Sequence, residues 1–165
     1  MEAVIAEGWS EFFVAGAGAL AALAGLVFVA LSINMTRILA SVGLANRAGE
    51  ALLLLVGALI QSMLCLVPHQ PAFWLGMELL AIGLLLWVFA SIIEVRNFSR
   101  LREQPLASKL SGFLCSQIAT LSYMVAGGML LAGMAGGLYW LVPGIVFCIF
   151  TGVYIAWILL VEILR

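Results

Sequence analysis

The sequence predicts an all-α integral membrane protein: a bundle of five transmembrane helices, N-terminus outside, C-terminus cytoplasmic. Three observations predict it. First, 65% of the 165 residues are hydrophobic and only 9% are charged, against roughly a quarter charged in a soluble domain. Second, the apolar residues gather in five runs, each long enough to be read as a spanning helix. Third, all seven basic residues fall in places that five crossings bring to one side, which the positive-inside rule makes cytoplasmic. Four crossings would split the basic set. The whole chain, 1–165, reads as one transmembrane domain.

The first span covers about 12–33, "FFVAGAGALAALAGLVFVALSI". It follows an acidic stretch with Glu2, Glu7 and Glu11 and is too long for the apolar core of a signal peptide, so it is expected to be retained. Ala15, Gly18, Ala22 and Gly25 repeat along one helix face, continued by Val29 and Ser32. Small residues let helix backbones approach in lipid. This face is expected to pack within the subunit first, and otherwise against another subunit. Arg37 and Arg47 lie in the loop that follows.

The second span covers about 51–67 and the third about 73–93, joined by "PHQP" at 68–71. The fourth covers about 113–134 and the fifth about 139–160, separated by the small-residue turn "AGMAGG" at 132–137. Arg96, Arg100, Arg102 and Lys109 lie between spans three and four, and Arg165 ends the sequence. Anionic lipid heads suit such a loop. Trp9, Trp74, Tyr139 and Trp140 fall at the opposite boundary, as aromatic belts do. The endings "WVFASIIEVR" and "WILLVEILR" of spans three and five resemble each other; the common texture of helices leaving on that side is the favoured account, and two parallel hairpin repeats are the alternative.

Composition excludes much chemistry. The chain has no Asp, one His and one Lys, so neither a Ser-His-Asp site nor a multi-histidine metal site can be built within it. Cys65, Cys115 and Cys148 lie far apart in apolar segments and read as small buried hydrophobes. Met63, Cys65, His69 and Met77 stand near one boundary, where soft ligands would suit Cu(I), but no M-x-x-M or C-x-x-C spacing occurs. No metal, cofactor or nucleic acid is expected, and no catalytic residue.

The candidate polar site lies in the membrane. Gln61 and Glu78 are equidistant from the middle of the turn between spans two and three, which predicts similar depth. Either the amide satisfies the carboxyl and pins the hairpin, or Glu78 faces a wet path and carries a proton or cation. His69 is then a solvated loop residue or a relay to Glu78. On span four, Ser116, Thr120, Tyr123 and Gly127 share one face with Gln117 beside it, and span five adds Thr151 and Tyr154. Gln61, Glu78, Thr120 and Tyr123 thus line a narrow polar path or make ordinary hydrogen bonds between and within helices.

The segments Phe12–Asn34, "NRAGE" at 46–50, "LVPHQ" at 66–70 and Glu78 resemble a group of small bacterial polytopic membrane proteins, some described as modulators of FtsH protease. The resemblance covers about the first half of the chain. It implies an inner (plasma) membrane location and no catalytic residue; the family that properly bears that description has more spans. The functional expectation is a non-enzymatic helper or regulator acting by helix association with membrane partners or with itself. The alternative is a homo-oligomeric channel or proton-coupled transporter with Glu78 in its path.

Labelling of tags at the two chain ends should find them in different compartments. Ends in the same compartment would overturn the odd number of crossings.

Overall fold

In the computed structural model the described residues are 7–33, 35–40, 42–100 and 106–164. They form six α-helices: α1 (Ser10–Ile33), α2 (Met35–Ala40), α3 (Val42–Leu64), α4 (Ala72–Arg100), α5 (Leu106–Leu131) and α6 (Leu141–Leu164). Short 3-10 turns, Glu7–Trp9 and Ala135–Trp140, precede α1 and α6. Five of the helices are long and apolar enough to cross a membrane, and no strand occurs among the described residues. The side chains of Arg37, Arg100 and Lys109, together with Arg102 and Arg165, lie outside the described residues.

The helix ends follow from local chemistry. At the end of α3, Leu66 N–H bonds Met63 C=O and Val67 N–H bonds Leu64 C=O, so the chain tightens into a turn before Pro68. The second span therefore ends at Leu64 instead of Val67. His69 takes a left-handed φ of 57°, and α4 starts directly after Pro71, whose carbonyl accepts from Leu75 N–H. α5 closes with Gly133 at φ 74°. Gly133 N–H bonds Leu130 C=O and Met134 N–H bonds Met129 C=O, the paired bonds that satisfy the last carbonyls of a helix through a left-handed glycine. This is the turn the small-residue run at 132–137 predicts.

α4 and α5 are the most intimate pair. Gly76, Gly83 and Ala90 recur every seven residues along α4, all buried. A methyl group on Gly76 would lie 3.0 Å from Gly127 C=O, and one on Gly83 would lie 3.2 Å from Tyr123 Cβ. Backbones this close gain dispersion along their whole length, the main attraction available where lipid offers no hydrophobic drive. α6 packs on α5 with Gly144 under the Tyr123 ring, and on α3 with Gly152 against Leu55.

α1 packs on α3 and α6. It buries Phe13, Leu20 and Val27, again seven residues apart. The expectation that Ala15, Gly18, Ala22 and Gly25 pack within the subunit is corrected: all four are exposed, and nothing lies within 4 Å of a methyl group built on Gly18 or Gly25. The larger apolar side chains Phe13, Leu20 and Val27 reach the α3–α6 groove and turn the small face outward. Phe13 is also held by Trp9, whose ring meets Tyr139 edge-on at 4.7 Å. The bundle thus has an aromatic end, with Trp9, Trp74 and Tyr139, and a basic end, with Arg47 and Arg96.

The outside of the bundle is apolar along the spans, with Leu26 67% and Ile33 76% exposed. Such a surface suits lipid and is a liability in water.

Gly127→Ala should lower stability, because its methyl would sit 2.7 Å from Leu80 N and 2.8 Å from Gly76 C=O, backbone atoms that cannot swing aside. Overpacking of this kind costs about 1–3 kcal/mol. Gly128→Ala, which meets nothing within 4 Å, should stay within about 0.5 kcal/mol of the parent. Thermal denaturation of both variants in one mild detergent checks the pair; equal melting would refute the tight α4–α5 contact.

Candidate functional site

The structure does not bring the four sequence-predicted residues together. Gln61 is buried, and neither its amide oxygen nor its amide nitrogen has a hydrogen-bond partner. Glu78 is half-buried and accepts a 2.6 Å bond from Gln70 Nε2 in the turn. The Gln61–Glu78 pair is therefore not formed. The reason is the register of the hairpin. Gly57 on α3 meets Leu86 on α4, and the Glu50 and Glu94 carboxyls meet further down. These contacts place Glu78 level with the end of α3 and Gln61 about one helical turn deeper. The unequal turn, tightened after Leu64 and extended around Pro71, breaks the symmetry that counting from its midpoint assumes. His69 is exposed in that turn.

The polar face of α5 is its packing face. Thr120 donates to the Ser116 carbonyl of its own helix at 2.9 Å. Tyr123 is fully buried, and its hydroxyl lies 3.5 Å from Cys148 Sγ on α6. Thr151 is buried with its hydroxyl unpartnered, while Tyr154 is exposed and stacks on Phe150. Thr120 and Tyr123 thus serve packing and local hydrogen bonding between α4, α5 and α6.

A different polar cluster forms at the basic end. Trp87, Ser91 and Glu94 follow spacings of four and three, so α4 presents them on one face. Gln117 on α5 bridges all three. The Trp87 indole N–H donates to Gln117 Oε1 at 2.7 Å, and Gln117 Nε2 lies 3.3 Å from both Ser91 Oγ and Glu94 Oε2. An indole can only donate, so Trp87 fixes the amide with its oxygen toward the indole and its nitrogen toward the carboxyl. Across from it, α3 brings the Glu50 carboxyl against that of Glu94, with the Arg47 guanidinium acting on Glu50. Glu50 is 6% exposed and Glu94 9%.

Two oxygens in this cluster remain unsatisfied. Ser116, fully buried one residue before Gln117, faces the Glu94 carboxyl, and neither Ser116 Oγ nor Glu94 Oε1 has a hydrogen-bond partner. Sequence reasoning noted Trp87 and Glu94 only as parts of a repeated helix ending and Gln117 as a flank. The counterpart Trp157 is 64% exposed, so the resemblance of the two endings does not extend to their surroundings. The signal available was the 87–91–94 spacing, which puts a donor, a hydroxyl and a carboxyl on one stripe. Among the described residues, no three His, Cys, Asp or Glu side chains stand together as metal ligands.

Set against models of known families, curated proteins and solved structures, the chain matches none.

Gln117→Leu should destabilise the protein by about 1–3 kcal/mol, because it leaves the Trp87 N–H without its acceptor and Glu94 Oε2 without its donor in an apolar setting. Adding Trp87→Phe should recover part of that loss, a non-additivity that a double-mutant cycle in thermal melts reads directly. Strict additivity would show that the bridge contributes nothing.

Proposed function

We propose that this chain is a multi-pass membrane protein that acts without catalysis, as a helper or regulator that packs its first helix on another membrane helix. The observation that carries this reading is the placement of α1. Its bulky face, Phe13, Leu20 and Val27, is buried on the bundle, and its small face, Ala15, Gly18, Ala22 and Gly25, is exposed. A helix docked through its large residues presents its flattest side to the lipid. In lipid, such a side is suited to close approach of a second backbone. A second copy is the simplest partner, because one surface patch then serves both sides of a two-fold contact. The resemblance to membrane proteins described as protease modulators agrees with a role exercised through contacts within the membrane. The seven basic residues support an orientation with the basic end in the cytoplasm of an inner membrane.

A second reading, a homo-oligomeric channel or proton-coupled transporter, draws on the buried carboxyls of Glu50 and Glu94. Glu78 supports it less, since it pairs with the turn at the aromatic end. Ion or proton flux into liposomes that is lost in Glu94→Gln and kept in Glu78→Gln would select this reading over the first.

A cysteine placed at Ala22 should cross-link between chains, or to a membrane partner, on mild oxidation in native membranes. A cysteine placed at Leu20, on the buried face, should not. Monomeric behaviour of the parent in nanodiscs, together with no cross-link at position 22, would overturn association through α1.

A further inference from the structure

Two carboxyl groups, from two different helices, meet where α3, α4 and α5 converge at the basic end of the bundle. Both are almost fully buried. Two bare carboxylates side by side in a low-dielectric setting repel, and burying them uncompensated is strongly unfavourable. Among the described residues, the groups that face them include these, taken element by element. From α3 comes Arg47, which acts on Glu50. From α4 comes Ser91, already engaged by Gln117. From α5 come the Gln117 amide, which donates to Glu94 Oε2, and the Ser116 hydroxyl. Among these named groups, two carboxyls face one guanidinium.

The unsatisfied atoms mark where a positive charge would find ligands. Ser116 Oγ and Glu94 Oε1 are buried and without hydrogen-bond partners, and the Glu50 carboxyl faces the same carboxyl group. All of these are oxygens, the ligand type that hard cations take. Trp87 locks Gln117 so that its amide nitrogen holds Oε2, which leaves Oε1 as the available lone-pair donor of Glu94. The cluster therefore has a fixed wall, the Trp87–Gln117–Glu94 chain, and buried oxygens of Glu94, Ser116 and Glu50 beside it.

We propose that Glu50, Glu94 and Ser116 form a binding site for one small hard cation, a proton or an alkali-metal ion. The site rests on neither reading of function given above: a bound cation would neutralise the α3–α4–α5 junction whether the chain associates, conducts or does both. Its occupancy ties α3 to α4 at the end where their carboxyls would otherwise push apart.

The test uses the full chain in lipid nanodiscs. Infrared difference spectra are recorded at neutral pH in a buffer whose only cations are large organic ones, then with added sodium or potassium chloride. A protonated-carboxyl band that is present in the parent, displaced or lost in both Glu50→Gln and Glu94→Gln, and unmoved by either salt identifies a bound proton. A band that bleaches on addition of sodium or potassium, with a parallel rise in melting temperature, identifies an alkali-metal ion. In that case Glu94→Gln should weaken the apparent affinity by about tenfold or more, roughly the effect of 1.4 kcal/mol. Ser116→Ala keeps both carboxyls and should shift the band or the affinity, and it serves if a Glu→Gln chain does not fold. The proposal is overturned if the parent spectrum shows no carboxyl band sensitive to these three substitutions and neither salt moves the spectrum or the melting temperature.

Discussion

The close contact of α4 and α5 through Gly76, Gly83 and Gly127 is the interaction on which the rest of the bundle depends. It lets the two backbones approach until a single methyl group would collide with a peptide atom of the neighbour. In water such a pair would be held mainly by burying side chains. In lipid the tails are as apolar as the side chains, so the gain comes from dispersion and from polar bonds between helices. The same approach brings Gln117 within reach of Trp87, Ser91 and Glu94. A wider separation would leave the amide short of these partners, and the site at the basic end would lose its fixed wall.

The polar residues divide according to what the backbone leaves them. Ser32, Ser62, Thr120 and Ser122 donate to carbonyls of their own helices. Such bonds need no neighbour and therefore carry no information about tertiary structure. Gln117 cannot do this at its full length and instead joins two helices. Gln61, Thr151, Ser116 and Glu94 Oε1 each retain buried atoms without a hydrogen bond. Of these, Ser116 and Glu94 stand together beside a second carboxyl. That coincidence sets the basic end apart from the isolated amide of Gln61 and the isolated hydroxyl of Thr151.

The helical class, the five long helices and the turn at 132–137 were legible in the sequence because they depend on local properties: run length, absence of charge, and glycine where a left-handed residue is required. The partner of Glu78 was not. Depth in a hairpin depends on how many residues the turn spends going sideways, and the tightened residues after Leu64 spend more than an even count allows. Nor could sequence decide which small-residue face is buried. Gly76, Gly83 and Ala90 on α4 and Ala15, Gly18, Ala22 and Gly25 on α1 show the same kind of repeat, yet the first set is packed and the second exposed. What separates them is the opposite face. α1 also carries Phe13, Leu20 and Val27 at heptad spacing, and these fill the α3–α6 groove better than methyl-sized groups would.

That choice has a consequence for how α1 is held. A helix seated by large side chains is joined to its own bundle by knobs that can be matched by few alternatives, whereas its small face can meet any backbone of suitable curvature. The contact of α1 with its own bundle is thus specific. The basic end is held in another way. There, the geometry is set by a directional chain, from the indole of Trp87 through the Gln117 amide to the Glu94 carboxyl, and an indole in that position tolerates only one orientation of the amide. The exposed small-residue face of α1 and the polar cluster at the junction of α3, α4 and α5 stand in separate parts of the molecule. The covalent connection between them is the short stretch containing α2, which leads from α1 directly to the start of α3, where Arg47 and Glu50 stand.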